Sequence, residues 1–348
     1  MRRHISNRAR RVVERLEDRF ERHVVNKRAD SMSLSVPGLI RPAAVYALEM
    51  AFGGDRMTRH VQKHFKRIGQ PDIHLSDPQA GAELFMEALG IKLEIIEGSH
   101  TNFPAEGPLL VVGNHPHGIL EVMAGATQVL RVRDDVKVMV NLSVAHNPLF
   151  GHFCIPMDLR GTPKAERANL RAAAQFRGHM KKGGVGVIAP AGAIADRKKL
   201  KQRATDWEWR TTAAKWARQT GATVVPIYCD SENEMLFHVA SKLSMSLRMG
   251  LIYFQNWRLR NRTLKIAIGD PITPEVMQAF PTSVEATEFI RAETYRLEKL
   301  YQFADQNLDE VRTTRPKALK KELRIPGRRR NGQDGQDPRA GSGGGLPY

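Results

Sequence analysis

Short apolar runs alternate with helical stretches through the middle of this 348-residue chain, and no feature constrains its fold more. We predict strands at 91–96, 108–112, 136–140, 185–188, 223–229 and 264–268, and helices at 78–89, 119–130, 164–182, 207–219 and 284–303. Strands separated by helices need long crossover connections, which join parallel strands. The alternation therefore predicts an α/β fold, with a mainly parallel central sheet flanked by helices.

Composition and charge divide the chain into four regions. We predict a basic amphipathic helix at 1–30, a helical region at 31–77, the α/β domain at 78–311, and a basic, then glycine-rich disordered tail at 312–348. Ten Lys/Arg against four acids in 1–28, and nine against one in 312–330, carry most of the net charge of +17. Such ends bind anionic lipid or nucleic acid, or stay solvated, and the sequence leaves this choice open.

We predict neither a secretory leader nor a membrane-spanning segment. Residues 1–11 are basic, but no apolar core follows them. No window of about 18 apolar residues is free of charges, so we predict no transmembrane helix. The chain has two cysteines, Cys154 and Cys229, and both lie in apolar, strand-like runs. This argues against a disulfide framework and is typical of a reducing compartment.

Two histidines and an acid follow the second predicted strand. The segment from Asn114 to Glu121 reads Asn-His-Pro-His-Gly-Ile-Leu-Glu and joins that strand to a predicted helix. A histidine beside a carboxylate can take a proton from a hydroxyl, and α/β folds place ligands at strand ends. The base is either His115 or His117. The second lies four residues before Glu121, so one helical turn would bring the two together.

A metal site is an alternative use of these histidines. A zinc ion could be held by His115, His117, His146, His152 and Cys154. However, the usual metallo-hydrolase pattern has Asp and His shortly after the second histidine, whereas this chain has the apolar Ile119 and Leu120. We therefore predict no metal.

Three further blocks, at 154–162, 187–197 and 224–228, also lie at predicted strand ends. With the histidine turn, in this order and spacing, they resemble the glycerolipid acyltransferase superfamily, which includes lysophosphatidate acyltransferase. The likeness is to its hemolysin-like branch, which includes lyso-ornithine lipid acyltransferases and places the acid six residues after the histidine, as Glu121 follows His115. The run ending Ile-Gly-Asp-Pro-Ile at 268–272 also resembles that branch, and the likeness covers about residues 80–275.

The resemblance implies an O-acyltransferase that moves an acyl chain from a thioester donor to a lysolipid hydroxyl. It makes His115 the general base and Glu121 the group that orients it. The donor would be acyl carrier protein or coenzyme A, as a co-substrate, with no other cofactor. The implied enzyme is peripheral, on the cytoplasmic face of an anionic membrane, and nucleic acid is not its expected partner.

Substrate contacts are predicted from the same blocks, at Arg160, Gly118, Pro190, Gly192 and Arg197. The resemblance makes Arg160 the cation for an acceptor phosphate, with a surface ion pair to Asp158 as the alternative. The turn before the helix would offer the Gly118 N–H to an anion or oxyanion. The third block departs from the superfamily, because Ala191 stands where Pro-Glu-Gly is usual. This departure argues against a glycerol-3-phosphate acceptor.

Residues 235–257 are rich in methionine and aromatic side chains with interspersed cations. Such a segment suits a lipid interface or an acyl-chain groove, and a buried core helix is the alternative. For the whole chain, a second hypothesis is a non-catalytic protein that binds nucleic acid or membrane on a degenerate acyltransferase domain. The basic ends and Ala191 favour it.

Overall fold

The computed structural model describes residues 54–68, 78–145, 153–159, 162–243 and 245–298. The helix predicted at 1–30 and the tail at 312–348 lie outside the described residues. The helices are α1 (Gly54–Arg67), α2 (Pro78–Ala88), α3 (Leu120–Leu130), α4 (Leu142–Ala145), α5 (Pro163–Lys181), α6 (Thr212–Thr220), α7 (Met235–Leu243), α8 (Met245–Arg258), α9 (Pro274–Gln278) and α10 (Ser283–Arg296). The strands are β1 (Lys92–Glu97), β2 (Leu109–Gly113), β3 (Val136–Asn141), β4 (Cys154–Met157), β5 (Val185–Ile188), β6 (Thr223–Asp230) and β7 (Thr263–Ile268).

The seven strands of the described part form one sheet, in the order β1-β7-β6-β2-β5-β3-β4. Strands β4, β3, β5, β2 and β6 run parallel to one another. Strand β7 is antiparallel to β6, and β1 is parallel to β7. The prediction of a mainly parallel sheet flanked by helices is therefore confirmed. Strand β2 lies in the middle of the order, so the turn that follows it leaves the centre of the sheet.

Both faces of the central sheet are covered, which explains why its strands are apolar without alternation. Four successive residues of β2, from Leu109 to Val112, are buried, as a parallel strand between two helical layers requires. Every residue of α3 is also buried, and this helix packs on β2, β5 and α2. Burial of each large side chain contributes roughly 1.5–3 kcal/mol. No helix among the described residues is both long and apolar enough to cross a membrane.

The helix predicted at 207–219 begins later than expected, because α6 starts at Thr212. One local and one long-range hydrogen bond hold the preceding residues out of the helix. The indole N–H of the buried Trp209 donates to the Asp206 carboxylate at 2.8 Å. The N–H of Arg210 donates to the carbonyl of Pro190 at 3.1 Å. The second bond ties the segment to the loop after β5, and the two bonds together outweigh its helical pattern.

Two glycines form a matched pair for testing how the end of β1 approaches β7. Gly98 and Gly107 both have a positive φ, +72° and +82°. A Cβ built on Gly98 would lie 1.9 Å from the carbonyl oxygen of Ile268, whereas one on Gly107 would meet nothing within 4 Å. The two positions therefore share the backbone strain of a substitution and differ in the clash.

We expect Gly98→Ala to lower the free energy of unfolding more than Gly107→Ala does. Both changes cost about 1–2 kcal/mol, because an L-residue is strained at positive φ. Gly98→Ala adds about 1–3 kcal/mol, because β7 must shift away from the new methyl group. Urea denaturation of the two variants measures the difference. Equal losses of unfolding free energy in the two variants would contradict this expectation, because they would show that β7 moves away from the new methyl group at no cost.

Candidate active site

Asn114 follows β2 and ties the histidine turn to β6. Its amide group donates to the carbonyl oxygen of Cys229 at 3.0 Å and accepts from the Cys229 N–H at 2.8 Å. The Asn114 side chain is buried, and its two hydrogen bonds continue the pairing of β2 with β6 past the end of β2. Burial also raises the pKa of the Cys229 thiol well above its usual value. The sulfur therefore stays protonated and is a poor nucleophile.

The turn brings His115 and Glu121 into direct contact. Nδ1 of His115 lies 2.6 Å from Oε1 of Glu121, which stands in the first turn of α3. The Glu121 side chain is 2% exposed, whereas that of His115 is 15% exposed. The acid is thus enclosed, and the imidazole keeps a path to the surface.

The Glu121 carboxylate also accepts hydrogen bonds from the turn itself. The N–H of Gly118 donates to Oε1 at 2.9 Å, and the N–H of His117 lies 3.3 Å from Oε2. We expected the Gly118 N–H to face a substrate anion, but the protein's own carboxylate occupies it. Gly118 has a φ of +106°, and a Cβ there would lie 2.9 Å from Cδ1 of Ile194. Glycine therefore fits both the conformation and the space.

Each member of the pair shifts the pKa of the other. Burial alone would lower the pKa of His115, but the charge and close contact of Glu121 raise it, and the net shift is upward. Burial alone would raise the pKa of Glu121, but the two histidines lower it, and the net shift is downward. The carboxylate therefore stays ionised and favours a proton on His115.

His117 has a different environment, because both of its ring nitrogens have partners. Nδ1 lies 2.9 Å from Oδ1 of Asn233, and Nε2 lies 2.7 Å from Oγ of Ser231. An amide oxygen only accepts, so Nδ1 carries the proton and Nε2 accepts from the hydroxyl. Burial lowers the pKa of His117, although Glu121 opposes the shift. The Asn233 amide also donates to the carbonyl of Pro116 at 2.8 Å. His117 is thus a neutral, buried part of the turn.

The backbone of His115 is held from two sides. Its carbonyl accepts from the N–H of Ala195 at 2.7 Å, and its N–H donates to Oδ1 of Asp206 at 3.0 Å. The backbone N–H of Asp206 donates in turn to the hydroxyl of Tyr295 at 2.8 Å. Burial raises the pKa of Asp206, and the hydrogen bond from His115 opposes this shift. Asp206 lies 91 residues from His115 in sequence, and we did not predict it as a site residue.

The third block forms the turn between β5 and Ala195. Gly192 has a φ of +63°, and its N–H donates to the carbonyl of Ala189 at 3.1 Å. The carbonyl of Pro190 is occupied by the N–H of Arg210. Ala191, at the position where the superfamily has glutamate, is buried, whereas Gly192 is exposed. These hydrogen bonds of the turn are therefore made by its backbone, and the Ala191 side chain adds no charge to the site.

Of the two arginines that we predicted as substrate contacts, the structure describes one. Arg197 forms an ion pair with Glu232 and donates to the carbonyl of Leu200. Its guanidinium is therefore held by protein groups, where we expected substrate. Arg160 lies outside the described residues, so its role stays a prediction. His146 and His152 lie outside them too. Within the described ranges, no three His, Cys, Asp or Glu side chains form a group that could hold a metal ion.

A small cavity lies beside Glu121, between α3 and the sheet. Its walls are mostly apolar and include Val122, Gly125, Val187, Ile188 and Ile227. The cavity has room for about one water molecule, and its apolar walls begin next to the charged pair.

Comparison with known proteins points to one family. Residues 89–303 match the family model described as "Acyltransferase". A curated relative, the lyso-glycine lipid O-acyltransferase of Phocaeicola vulgatus, is 25% identical over 248 residues, which cover 68% of this chain and 85% of the relative. The crystal structure of the 1-acyl-sn-glycerophosphate (LPA) acyltransferase PlsC from Thermotoga maritima aligns with a TM-score of 0.44 and 14% identity, over 66% of this chain and 80% of that one.

We expect the two histidines to titrate on opposite sides of the ordinary pKa of 6.5. The NMR shifts of the imidazole ring against pH should place the pKa of His115 above that value and the pKa of His117 below it. In Glu121→Gln the pKa of His115 should fall, because the burial that lowers it is no longer outweighed by a nearby negative charge.

Glu87→Gln is the matched control for this titration. Glu87 is 61% exposed and lies 3.4 Å from a different histidine, His64. Removal of the Glu87 charge should therefore leave the pKa of His115 unchanged. A His115 pKa that does not move in Glu121→Gln would contradict the assignment of Glu121 as the source of the shift.

Proposed function

Because the chain belongs to the acyltransferase family over residues 89–303, we propose that it is a lipid O-acyltransferase. It moves an acyl chain from a thioester donor, on acyl carrier protein or coenzyme A, to the hydroxyl of a lysolipid. The 2.6 Å contact between His115 and Glu121, at the carboxyl end of the central strand, carries this proposal. The activity for which the relative is named, O-acylation of a lyso-glycine lipid, supports it.

In the proposed mechanism His115 is the general base and acts through Nε2. Glu121 lies against Nδ1 and keeps a proton there, so the lone pair is on Nε2. Nε2 takes the proton of the acceptor hydroxyl while the oxygen attacks the thioester carbonyl carbon. The C–S bond then breaks, and His115 returns the proton to the leaving thiolate. Glu121 stabilises the imidazolium that exists between these two proton transfers.

Direct transfer, without a covalent enzyme intermediate, fits the groups around His115. Burial keeps the Cys229 thiol protonated, and His117 is engaged by Asn233 and Ser231. The N–H groups of His117 and Gly118 bind Glu121. The negative oxygen of the tetrahedral intermediate therefore needs a donor other than these two groups.

We propose that the apolar cavity beside Glu121, which as it stands has room for about one water molecule, opens to receive the first carbons of the donor's acyl group. Val122 and Gly125 form its helical side, and Val187, Ile188 and Ile227 form its strand side. Each methylene buried there contributes about 0.8 kcal/mol. The cavity thus binds the part of the substrate that does not react, and it places the thioester near the charged pair.

For the acceptor we favour a lysolipid with an amino-acid headgroup, such as lyso-glycine or lyso-ornithine lipid. Ala191 leaves the third block without the acid that is usual for glycerol-3-phosphate-type acceptors, and the relative is named for a lyso-glycine lipid acceptor. We propose that Arg160 contacts the headgroup carboxylate, since a guanidinium can bind a carboxylate through two hydrogen bonds.

We place the enzyme peripherally on the cytoplasmic face of the membrane. Its acceptor is a lipid, and the basic segments 1–28 and 312–330 suit attraction to an anionic leaflet. The same charges would also suit nucleic acid, on a domain that has lost catalysis. The compensated charges of His115 and Glu121 favour the enzyme, because a binding protein has no need to hold a buried carboxylate ionised against an imidazole.

The two histidines can be separated by matched substitutions. We expect His115→Gln to lower kcat for acylation by roughly 10²–10⁴-fold, since it removes the base. We expect His117→Gln to cost about tenfold or less, the equivalent of one buried hydrogen bond. The assay follows the transfer of labelled acyl groups from acyl carrier protein or coenzyme A to lyso-glycine lipid, lyso-ornithine lipid or lysophosphatidate. It gives kcat for each variant and the preference of the enzyme for donor and acceptor.

Urea denaturation of both variants separates a loss of folding from a loss of chemistry. A larger loss of kcat in His117→Gln, at equal stability, would contradict the choice of base. Acylation of none of these lipids by the wild type, together with tight and salt-sensitive DNA binding, would favour the non-catalytic alternative.

A further inference from the structure

Exposed apolar side chains are concentrated in two neighbouring segments. Nine large apolar side chains are exposed among the described residues. Five of them lie in the segment 197–207 and in α7, namely Leu200, Trp207, Met235, Leu236 and Leu243. Trp207 is 53% exposed and Leu243 is 74% exposed. Such a concentration marks an interaction surface rather than the normal scatter of apolar residues.

The segment 196–205 forms a hairpin with a cationic tip. The N–H groups of Asp196 and Thr205 each donate to the other residue's carbonyl, at 3.1 and 3.0 Å. The residues between Asp196 and Ala204 include five Lys/Arg and no acid. Three of these cations, Lys198, Lys199 and Lys201, are exposed.

Two arginines hold the hairpin in place, and they do so with acids from elsewhere in the fold. Arg197 pairs with Glu232, and Arg203 pairs with Asp230 and Glu298 at 2.8 and 2.9 Å. The exposed cations of the hairpin are the three lysines at its tip.

A junction at Asp196 joins the hairpin to α7. Its carboxylate contacts Nδ1 of His238 at 3.0 Å and accepts from Nζ of Lys242 and Oγ of Ser241, each at 3.1 Å. All three partners are residues of α7. The two segments that expose apolar side chains therefore lie side by side.

The base of the same hairpin holds the predicted catalytic turn. Ala195, directly before the hairpin, donates to the carbonyl of His115, and Asp206, directly after it, accepts from the His115 N–H. The tip of the hairpin is therefore only a few residues of chain from both contacts to His115. Whatever binds the tip lies close to the site of the proposed reaction.

We propose that the segment 197–207, with its lysine tip and Trp207, and the exposed face of α7 form a docking surface for an anionic lipid bilayer. The inference rests on the proposed function, because it supplies the surface on which a lipid acyltransferase meets its acceptor. Tryptophan and leucine enter the interface between headgroups and acyl chains, while lysines reach the anionic headgroups. An acidic carrier protein would satisfy the lysines but would leave the apolar side chains of α7 without a partner.

Charge reversal at the tip tests the surface. The variant Lys198→Glu/Lys199→Glu/Lys201→Glu is compared with Lys164→Glu/Arg167→Glu/Arg171→Glu on α5, where all three cations are also exposed. The probes are phosphatidylcholine vesicles with and without phosphatidylglycerol. We expect the hairpin variant to lose tenfold or more in partitioning to anionic vesicles, and the α5 variant to lose much less. Equal losses, or none, would overturn the proposal.

Tryptophan fluorescence gives a second, independent measurement. The chain has four tryptophans, and Trp207 is exposed whereas Trp209 and Trp216 are buried. Anionic vesicles should shift the emission of the wild type to shorter wavelength, and Trp207→Phe should lack most of this shift. A full shift in Trp207→Phe would contradict insertion of the segment 197–207 into the bilayer.

Turnover distinguishes the docking surface from the proposed activity. With a short-chain lysolipid below its micelle concentration and acyl coenzyme A, the lysine variant should keep wild-type turnover, and it should lose activity only on vesicles. A loss confined to the acyl carrier protein donor, with vesicle binding intact, would assign the surface to that protein instead. If the wild type acylates no lipid, the proposed function fails, and the vesicle measurements still decide whether the surface binds membranes.

Discussion

The buried charge of Glu121 is the constraint on which the rest of the site depends. An ionised carboxylate in a protein interior costs several kcal/mol unless partners compensate it. Here they are the His115 imidazole and the N–H groups of His117 and Gly118. The turn closes around the acid for this reason, with glycine where the path needs a positive φ. The same contacts that stabilise the turn orient the imidazole.

The position of β2 in the sheet explains how distant segments reach this turn. The carboxyl ends of parallel strands share one edge, so the loops after β5 and β6 meet the loop after β2. The loop after β6 supplies Asn233, and the region after β5 supplies Ala195 and Asp206. His115 is thus fixed by its backbone while its side chain stays partly exposed. A base that must act on an incoming lipid hydroxyl needs both properties.

Much of the fold could be predicted, because apolar runs and helical periodicity mark elements that pack on both faces of a sheet. The contact of His115 with Glu121 agrees with the spacing taken from the family resemblance, and that family is confirmed. Two long-range contacts could not be predicted from the sequence. Asn233, which contacts the His117 ring, lies 116 residues from it, and Asp206, which accepts from the His115 N–H, lies 91 residues from His115. The late start of α6 was missed because the N–H of Arg210 bonds to Pro190 in the loop after β5, which a local pattern does not show. The occupied Gly118 N–H was missed because we assigned Glu121 to the histidine alone, whereas its carboxylate also turns back to the backbone of the turn.

The pH dependence of kcat/KM tests the central claim most directly, that Glu121 sets the proton affinity of the catalytic base. His115 must be unprotonated to act, so activity should rise with pH through a midpoint above 6.5 in the wild type, since its pKa is raised. In Glu121→Gln the midpoint should move to lower pH, even though the plateau falls. A midpoint that stays in place in Glu121→Gln, or one that follows the titration of His117, would contradict this account.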